Sequence, residues 1–232
     1  MSAGARPRRL AAEGPLEVGA ALALDEASVR HARVLRLPER AEVELFDGRG
    51  QLARARVHWR GRSLFAEVES VWVAPPPPPV VLLQAVAKGD KLDTVVRMAT
   101  EIGVRRIVLV QTERAVPDPD RRRRERWDRI AREAARQSEQ AWSPEICGPD
   151  PLLVAAAAAP EGSRKLVLAA RGAPRPPPRD GAETWLAIGP EGGLSDEEER
   201  ALVELGYRPW TLPTGILRTE TAAAVALGAL LD

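Results

Sequence analysis

The sequence predicts an α/β protein in which a small strand-rich domain, residues 1–74, precedes an α/β domain with a mainly parallel sheet, residues 80–232. Two observations carry this prediction. The proline run from Ala74 to Val80 divides the chain, because consecutive prolines are stiff and cannot lie in a central strand. Apolar residues recur at every second position before the run, whereas continuous apolar strands alternate with helical segments after it.

Composition narrows the classes of function. The 232 residues carry a formal net charge of +1. The protein as a whole is therefore not a polycation, although a local basic patch is possible. One cysteine and two histidines exclude an internal disulfide framework and disfavour a metal centre. The N-terminus lacks an apolar signal core and the longest apolar run is too short to span a bilayer. We therefore expect a cytoplasmic protein with no membrane contact.

In the first domain, the segment "QLARARVHWRGRSLFAEVESVWV" predicts a β-hairpin that turns at Arg60-Gly61-Arg62. The predicted register pairs Trp59 with Leu64, Val57 with Ala66 and Ala55 with Val68 on the apolar side, and Arg56 with Glu67 and Arg54 with Glu69 on the other. The basic face has two interpretations, a nucleic-acid stripe or a solvated face with cross-strand ion pairs. The agreement of both faces with one register favours ion pairs.

A second basic element precedes this hairpin. The segment "EASVRHARVLRL" predicts a short amphipathic helix whose inward residues are Val29, Ala32, Val34 and Leu35. Its polar side carries the candidate nucleic-acid contacts Arg30, His31, Arg33 and Arg36.

The second domain is predicted from strands and helices that follow one another. The run "VVLLQAVA" predicts a buried strand, and "GDKLDTVVRMATEIG" predicts a helix that Asp90 caps and Gly103 ends. A long helix is predicted over "RRRRERWDRIAREAARQSEQAW", and further strands over "RRIVLVQ", "PEIC", "KLVLAA", "TWLAIG" and "RPWTL". Ligands of such sheets bind beyond the carboxyl ends of the strands, which makes the loops there the candidate site.

The first candidate loop is Gly189-Pro190-Glu191-Gly192-Gly193, which follows an apolar strand. Ser195 and Glu198 then predict a capping box for a helix that ends at Gly206. Glycines permit a tight turn and a close approach of a ligand to the backbone, although a plain strand-to-helix turn has the same pattern. The loop is neither a Walker loop nor a dinucleotide fingerprint.

The second candidate is "LPTGILRTETAAAVALGALL", residues 212–231. Thr219 or Thr221 is predicted to cap a helix that is apolar on all sides from Ala222 to Leu231 and should be covered on most of them. Arg218 and Glu220 therefore lie near a buried helix N-terminus, where free backbone N–H groups bind ligands. A structural ion pair is the alternative reading of these two residues.

Several segments occur in the same order as in a known family. "AVAKGDKLDTVVRMATEIGVRRIVLVQTERAV", "LAIGPEGGLSDEE" and "GILRTETAAAVALGAL", with "HARVLRL" and "LFDGRG" nearer the N-terminus, resemble the RsmE family of 16S rRNA uracil-N3 methyltransferases. The resemblance covers nearly the whole chain. The joint occurrence of the glycine-rich loop and "ILRTETA" makes it specific.

The resemblance implies a SPOUT fold with a deep trefoil knot for the second domain and a PUA-like β-barrel for the first, with the barrel and its basic helix contacting RNA. It implies a homodimer that methylates uracil N3 in 16S rRNA, within a small-subunit particle, with S-adenosylmethionine as cofactor and without a metal. The cofactor would lie among three loops. The implied cofactor contacts are Leu168, Ala169, Ala170, Ile188, Gly189, Pro190, Glu191, Gly192, Leu212, Pro213, Ile216, Leu217, Arg218, Thr221 and Ala222.

The catalytic candidates under this resemblance are Arg218 and Glu220. Uracil N3 must lose a proton, and Arg218 could stabilise the negative charge that develops on the ring. Glu220 could be the base or could orient Arg218. Because Gln140 and Gly215 stand where the family usually has arginine, one alternative is a non-catalytic or retargeted RNA-binding assembly protein. An unrelated nucleotide-binding α/β enzyme is a third reading, against which the missing phosphate-loop motifs count.

Overall fold

The computed structural model describes residues 8–115, 121–174 and 182–231 and divides into two compact units. The N-terminal unit consists of Met1–Pro76 and Arg132–Ser143, and the C-terminal unit consists of Pro77–Ala131 and Pro144–Asp232. The division falls inside the proline run. The inclusion of Arg132–Ser143 in the first unit was not anticipated from the sequence.

The N-terminal unit is built on one mixed, five-stranded sheet in the order β1-β3-β4-β5-β2. Its elements are β1 (Arg8–Ala11), β2 (Ala21–Ala23), α1 (Glu26–Val34), β3 (Glu42–Phe46), β4 (Gln51–Arg60) and β5 (Ser63–Val73). Strand β1 runs parallel to β3, and the other neighbouring strands are antiparallel. Leucine, valine and alanine side chains from one face of this sheet and from α1 form the core of the unit.

The predicted β4–β5 hairpin is confirmed, and so is its apolar register. Arg56 lies opposite Glu67 as predicted, but Arg54 lies opposite Ser70 and not Glu69, because the register shifts between Arg54 and Ala55. Arg56 pairs with Glu69 at 2.5 Å, and Arg54 pairs with Glu42 of β3 at 3.2 Å. The basic face is therefore engaged in ion pairs, as the favoured interpretation expected.

Helix α1 is confirmed, but one inward residue was predicted wrongly. Ala32 is fully buried, whereas Val34 is 75% exposed. Successive helical residues are rotated by about 100°, so Val34 lies about 200° around the axis from Ala32. Ser28, one turn before Ala32, takes the inner position and donates a hydrogen bond to the Ala11 carbonyl.

The C-terminal unit contains a six-stranded sheet in the order β11-β9-β10-β6-β7-β8, in which all pairs are parallel. Its elements are β6 (Val80–Ala85), α2 (Lys91–Ile102), β7 (Arg106–Gln111), α3 (Arg121–Gln137), β8 (Glu145–Pro151), α4 (Leu152–Ala157), β9 (Arg164–Ala173), β10 (Thr184–Ile188), α5 (Asp196–Glu204), β11 (Arg208–Trp210) and α6 (Thr219–Leu231). The last six residues of α3 belong to the N-terminal unit. The predicted α/β class with a mainly parallel sheet is confirmed.

Strand β6 lies near the middle of this sheet, and all six of its residues are buried. One face of the sheet packs against α2, α6 and Trp127 of α3, and the other packs against α4, α5 and Tyr207. Alternate residues of β6 enter the two cores, which explains why the strand reads as a continuous apolar run. Within the described ranges, no helix is long and apolar enough to cross a membrane.

Helix α2 ends as predicted, but its N-cap differs from the prediction. Gly103 adopts the left-handed conformation with φ of 90° and closes the helix. Asp90 occupies the N-cap position, yet its side chain makes no capping hydrogen bond. Its φ and ψ of −94° and 10° are not the extended values that aim a side chain at the first turn.

Candidate functional site

The glycine-rich loop begins where β10 ends, at Ile188. It turns tightly, because the Gly193 amide donates to the Pro190 carbonyl at 2.9 Å and Gly193 has φ of +71°. A Cβ on Gly189 would lie 3.0 Å from the Leu194 backbone nitrogen and 3.1 Å from Leu194 Cγ. Glycine at 189 is therefore required by close packing, since its φ lies outside the left-handed region that favours glycine.

The rest of this loop is fixed from the side by α5 and by an arginine. Ser195 and Glu198 form the predicted capping box at the start of α5. Glu198 also accepts the backbone N–H of Glu113 at 2.9 Å. Arg114 donates from Nη1 to the carbonyls of Gly192 at 2.8 Å and Leu194 at 3.1 Å. Sequence reasoning missed Arg114, because nothing local marks it as a partner of a loop 78 residues away.

The second loop is an irregularity in β9. Val167 pairs with Pro209 and Ala173 pairs with Trp210, so residues 168–172 bulge out between two successive positions of β11. Thr211 holds this bulge, since its hydroxyl donates to the Ala169 carbonyl at 3.1 Å. The predicted contacts Leu168, Ala169 and Ala170 thus lie in a segment whose normal ladder is interrupted, which exposes backbone groups.

The third loop leads from β11 into α6 and is tied to the first. Thr219 donates from its hydroxyl to the Gly189 carbonyl at 3.0 Å and accepts a hydrogen bond from Gln84 at 3.2 Å. Of the two predicted capping residues, Thr219 and Thr221, Thr219 does not cap α6, because its hydroxyl donates to the glycine-rich loop. The helical bonds begin at Arg218, whose carbonyl accepts the Ala222 amide at 2.8 Å.

The first and third loops share an open cleft of about 440 Å³ lined by Lys91, Glu191, Ile216, Leu217 and Arg218. Lys91 Nζ and Glu191 Oε1 form an ion pair of 2.5 Å. Burial opposes ionisation of Glu191, but the hydrogen bonds from Lys91 and from the backbone outweigh it, so the pKa of Glu191 lies below its usual value. Arg218 is exposed, and Ile216 is fully exposed. Both are available to a ligand at this cleft.

Glu220 lies in the first turn of α6. Its Oε2 atom is buried and has no hydrogen-bond partner among the residues that the structure describes. Over the same residues, no ion pair between Arg218 and Glu220 is formed. The alternative of a simple structural pair between these two side chains is therefore not realised.

Helix α6 is only partly covered in the single chain. Ala222, Ala223, Ala226, Leu227 and Leu230 are buried, as its apolar sequence required. Val225 is 39% exposed, and Gly228 and Ala229 on the same side are exposed as well. The expectation that most sides are covered is therefore confirmed, and the one uncovered stripe lies on the side that the sheet and α2 do not reach.

The basic residues of α1 in the N-terminal unit separate into different surroundings. Arg30 and Arg33 line a groove of about 470 Å³ together with Arg62 from the β4–β5 turn. Arg33 donates to the Arg62 carbonyl at 2.8 Å and lies over the Trp59 ring at 5.8 Å. Sequence reasoning missed Arg62, because the turn meets α1 only in the folded sheet.

His31 faces away from this groove. Its Nε2 atom lies 2.6 Å from Arg136 Nη1. Because an arginine only donates, His31 accepts this hydrogen bond and its ring is neutral. Burial, followed by the Arg136 charge, lowers the pKa of His31 below its ordinary value of 6.5. Arg36 is exposed with a positive φ of 50°, beyond the end of α1.

The sequence matches the model of a known protein family. The family is described as an RNA methyltransferase domain, and the match spans residues 74–231. Ribosomal RNA small subunit methyltransferase E of Mycobacterium bovis is 36% identical over 228 residues, covering 92% of this chain and 87% of that protein. The protein of the same name from Aquifex aeolicus is 31% identical over 221 residues, covering 92% of this chain and 95% of its own.

Solved structures agree with these matches. Ribosomal RNA small subunit methyltransferase E from Neisseria gonorrhoeae, crystallised with S-adenosyl methionine, superposes with a TM-score of 0.89 at 29% identity, covering 97% of both chains. A methyltransferase from Legionella pneumophila, also solved with this cofactor, gives a TM-score of 0.84 at 30% identity and covers 97% of both chains. Sequence and structure together establish that the chain belongs to the RNA methyltransferase family of ribosomal RNA small subunit methyltransferase E.

Proposed function

We propose that this protein transfers a methyl group from S-adenosylmethionine to N3 of a uridine in 16S ribosomal RNA. The observation that carries the proposal is the junction of the glycine-rich loop with the start of α6. There Thr219 bonds to Gly189 beside a cleft that contains Arg218. The family to which the chain belongs supports the reaction class.

The site fits the cofactor. Gly189 and Gly192 leave the backbone of the first loop without side chains, and Gly215 in the third loop has no atom within 4 Å of its Cβ position. The buried Gln84 Oε1 lacks a donor among the described residues. Backbone groups of these glycines and the Gln84 Oε1 acceptor could form hydrogen bonds with the polar edges of a nucleoside, while apolar side chains contact its ring. Binding would use the three predicted loops, with Leu212 and Leu217 as apolar contacts.

The chemistry requires alignment and charge stabilisation from the protein. When bound, S-adenosylmethionine supplies an electrophilic methyl group on its sulfonium. Arg218, exposed in the cleft, would stabilise the negative charge that develops on the uracil ring as N3 loses its proton. Glu220 would receive that proton. Its buried Oε2 accepts no hydrogen bond from the described part of the chain, and Arg218 forms no ion pair with it there.

The finer features of the fold are part of the proposal. We assign the C-terminal unit to the SPOUT class with a trefoil knot, formed where β9, β11 and the loop before α6 meet. The N-terminal unit, whose sheet is mixed and five-stranded, would be the PUA-like RNA-binding barrel. The functional domains would then be residues 1–74 and 80–232.

RNA would bind to the N-terminal unit through the groove of Arg30, Arg33 and Arg62. An arginine stacked on an aromatic ring, as Arg33 is on Trp59, presents a flat cationic face to phosphates and bases. His31 would act indirectly by holding Arg136, and Arg36 would remain free for phosphate contact. The substrate would be a small-subunit particle in the cytoplasm.

The active form would be a homodimer. The exposed stripe of Val225, Gly228 and Ala229 on α6 is apolar and of low relief, which suits symmetric packing against a second copy. The stripe lies on the same helix as Glu220, which is in the first turn of α6. Packing along the stripe would therefore bring the partner chain close to the catalytic candidates Arg218 and Glu220.

The proposal is tested by separating binding from turnover. Wild-type protein should bind S-adenosylhomocysteine in calorimetry with a Kd in the micromolar range, about −8 kcal/mol. Arg218→Ala should bind it with similar affinity but lower single-turnover methylation by about 10²- to 10³-fold. Arg208→Ala, which removes an exposed arginine at the start of β11, is the matched control and should retain activity. Absence of any binding to the wild type would refute the methyltransferase assignment. Binding without turnover on any RNA would instead point to the non-catalytic assembly protein.

A further inference from the structure

One polar side chain in the buried strand β6 is Gln84, which is 0% exposed. It lies in the fifth position of the strand, level with Ile188 of β10 and Leu109 of β7. Gly189 therefore follows β10 directly beside it. The position is at the carboxyl edge of a parallel sheet, where ligands of such folds bind.

The side chain of Gln84 starts a chain of hydrogen bonds that has a single direction. Its amide nitrogen Nε2 donates to Thr219 Oγ1 at 3.2 Å and to the Ala85 carbonyl at 3.2 Å. The Thr219 hydroxyl donates in turn to the Gly189 carbonyl at 3.0 Å. Because this hydroxyl has one proton, it can donate to Gly189 only if it accepts from Gln84, which fixes the orientation of the amide.

This orientation leaves the amide oxygen without a donor. Gln84 Oε1 is buried and has no hydrogen-bond partner within residues 8–115, 121–174 and 182–231. Buried polar atoms in native proteins are satisfied in the great majority of cases, and an unsatisfied one calls for an explanation, of which a catalytic or ligand-binding role is one. Strand β6, the glycine-rich loop and the start of α6 thus meet at Gln84, whose Oε1 atom is an unused hydrogen-bond acceptor among the described residues.

We infer that Gln84 is a cofactor-positioning residue. Its Nε2 fixes Thr219 and Gly189 relative to each other, and its Oε1 accepts a hydrogen bond from an N–H or O–H group of the bound nucleoside cofactor. The inference rests on the proposed function, because it takes S-adenosylmethionine as the ligand. It adds Gln84 and Thr219 to the site, two residues that lie 135 positions apart in the chain.

The inference predicts different effects on stability and on affinity. Gln84→Met keeps the length of the side chain but removes both the donor and the unpaired acceptor. Without ligand, its melting temperature should stay within about 3 °C of the wild type, because the loss of two long hydrogen bonds of 3.2 Å is offset by the removal of one unsatisfied buried atom. Its affinity for S-adenosylhomocysteine should fall about tenfold, because the acceptor that the ligand satisfies is gone.

Thr219 provides the matched pair of variants. Thr219→Ser keeps the hydroxyl and should bind S-adenosylhomocysteine within about twofold of the wild type, whereas Thr219→Val breaks the hydrogen-bond chain and should bind it several-fold more weakly. The double variant Gln84→Met/Thr219→Val should be no weaker than Gln84→Met alone, because both changes interrupt one chain.

Calorimetry with S-adenosylhomocysteine measures the affinity of each variant, and thermal denaturation without ligand measures its stability; together they test the role of Gln84. Equal affinity of wild type and Gln84→Met would overturn the inference, and so would additive losses in the double variant. A lowered melting temperature with unchanged affinity would show that Gln84 is only structural. Should Gln84→Met not fold, the contrast between Thr219→Val and Thr219→Ser still tests the chain. Failure of the wild type to bind would instead remove the proposed function, which makes the two failures distinguishable.

Discussion

Replacing Gly189 by alanine should damage the site through packing alone. The added Cβ would lie 3.0 Å from the Leu194 backbone nitrogen and 3.1 Å from Leu194 Cγ, whereas ordinary contacts begin near 3.4 Å. The backbone of the loop must therefore move by several tenths of an ångström, and the Thr219–Gly189 hydrogen bond must lengthen. Overpacking of this kind costs about 1–3 kcal/mol, which corresponds to a fall in Tm of roughly 2–12 °C for a chain of this size.

The same movement should weaken cofactor binding about tenfold, equivalent to about 1.4 kcal/mol. The matched control is Gly215→Ala in the third loop, where the added Cβ meets no atom within 4 Å. Its stability should change by less than about 0.5 kcal/mol. Thermal denaturation and calorimetry with S-adenosylhomocysteine measure both effects. A Gly189→Ala protein as stable and as tight-binding as the wild type would refute the view that this loop is fixed by close packing.

Three further perturbations test other parts of the account. Val225→Lys should convert a dimer into monomers in analytical ultracentrifugation, whereas a wild type that sediments only as a monomer would contradict the dimer. The folded state lowers the pKa of His31, so the unfolded chain binds more protons and stability should fall as pH drops below about 6.5. His31→Gln, which keeps an acceptor for Arg136, should flatten this part of the pH–Tm curve, and an unchanged curve would exclude His31 as its source. Neutralising Arg30 and Arg33 together should reduce the slope of log K for RNA binding against log salt concentration by about 0.7–0.9 for each lost phosphate contact. A larger effect from neutralising Arg54 and Arg56 would show that the RNA binds the face of β4 that carries these two arginines.

Local patterns predicted much of the fold. The β4–β5 register followed from the alternation of apolar and charged residues around Gly61, because a strand has two faces and one turn fixes both. The capping box of Ser195 and Glu198 followed from two residues three positions apart. The residues that determine each of these features lie close together in the sequence, so a short stretch of chain was enough to predict them.

Register shifts were not predictable in this way. A shift between Arg54 and Ala55 placed Arg54 opposite Ser70 in place of Glu69, and Arg54 pairs with Glu42 of β3. Arg56 stays opposite Glu67 as predicted, although its ion pair is with Glu69. The bulge of residues 168–172 depends on how β9 meets β11, two strands that are far apart in sequence. Alternation specifies the faces of a strand but does not indicate where one extra residue is accommodated.

The long-range contacts of the site were also missed. Gln84 and Thr219 meet only because β6 and the start of α6 are neighbours in the folded unit. A signal existed, since Gln84 is the one polar residue in "VVLLQA". A buried amide in a central strand requires partners, and that requirement alone would have justified adding Gln84 to the candidate site.

The measurement that tests the central claim most directly is the position of the methyl group on the RNA. Small-subunit particles from cells that lack this gene should be incubated with the purified protein and S-adenosylmethionine, and the 16S rRNA digested and analysed by mass spectrometry. The account predicts one new uridine methylated at N3 with wild-type protein and a strongly reduced amount with Arg218→Ala. Methylation at another atom, or no methylation by a wild type that binds the cofactor, would contradict it.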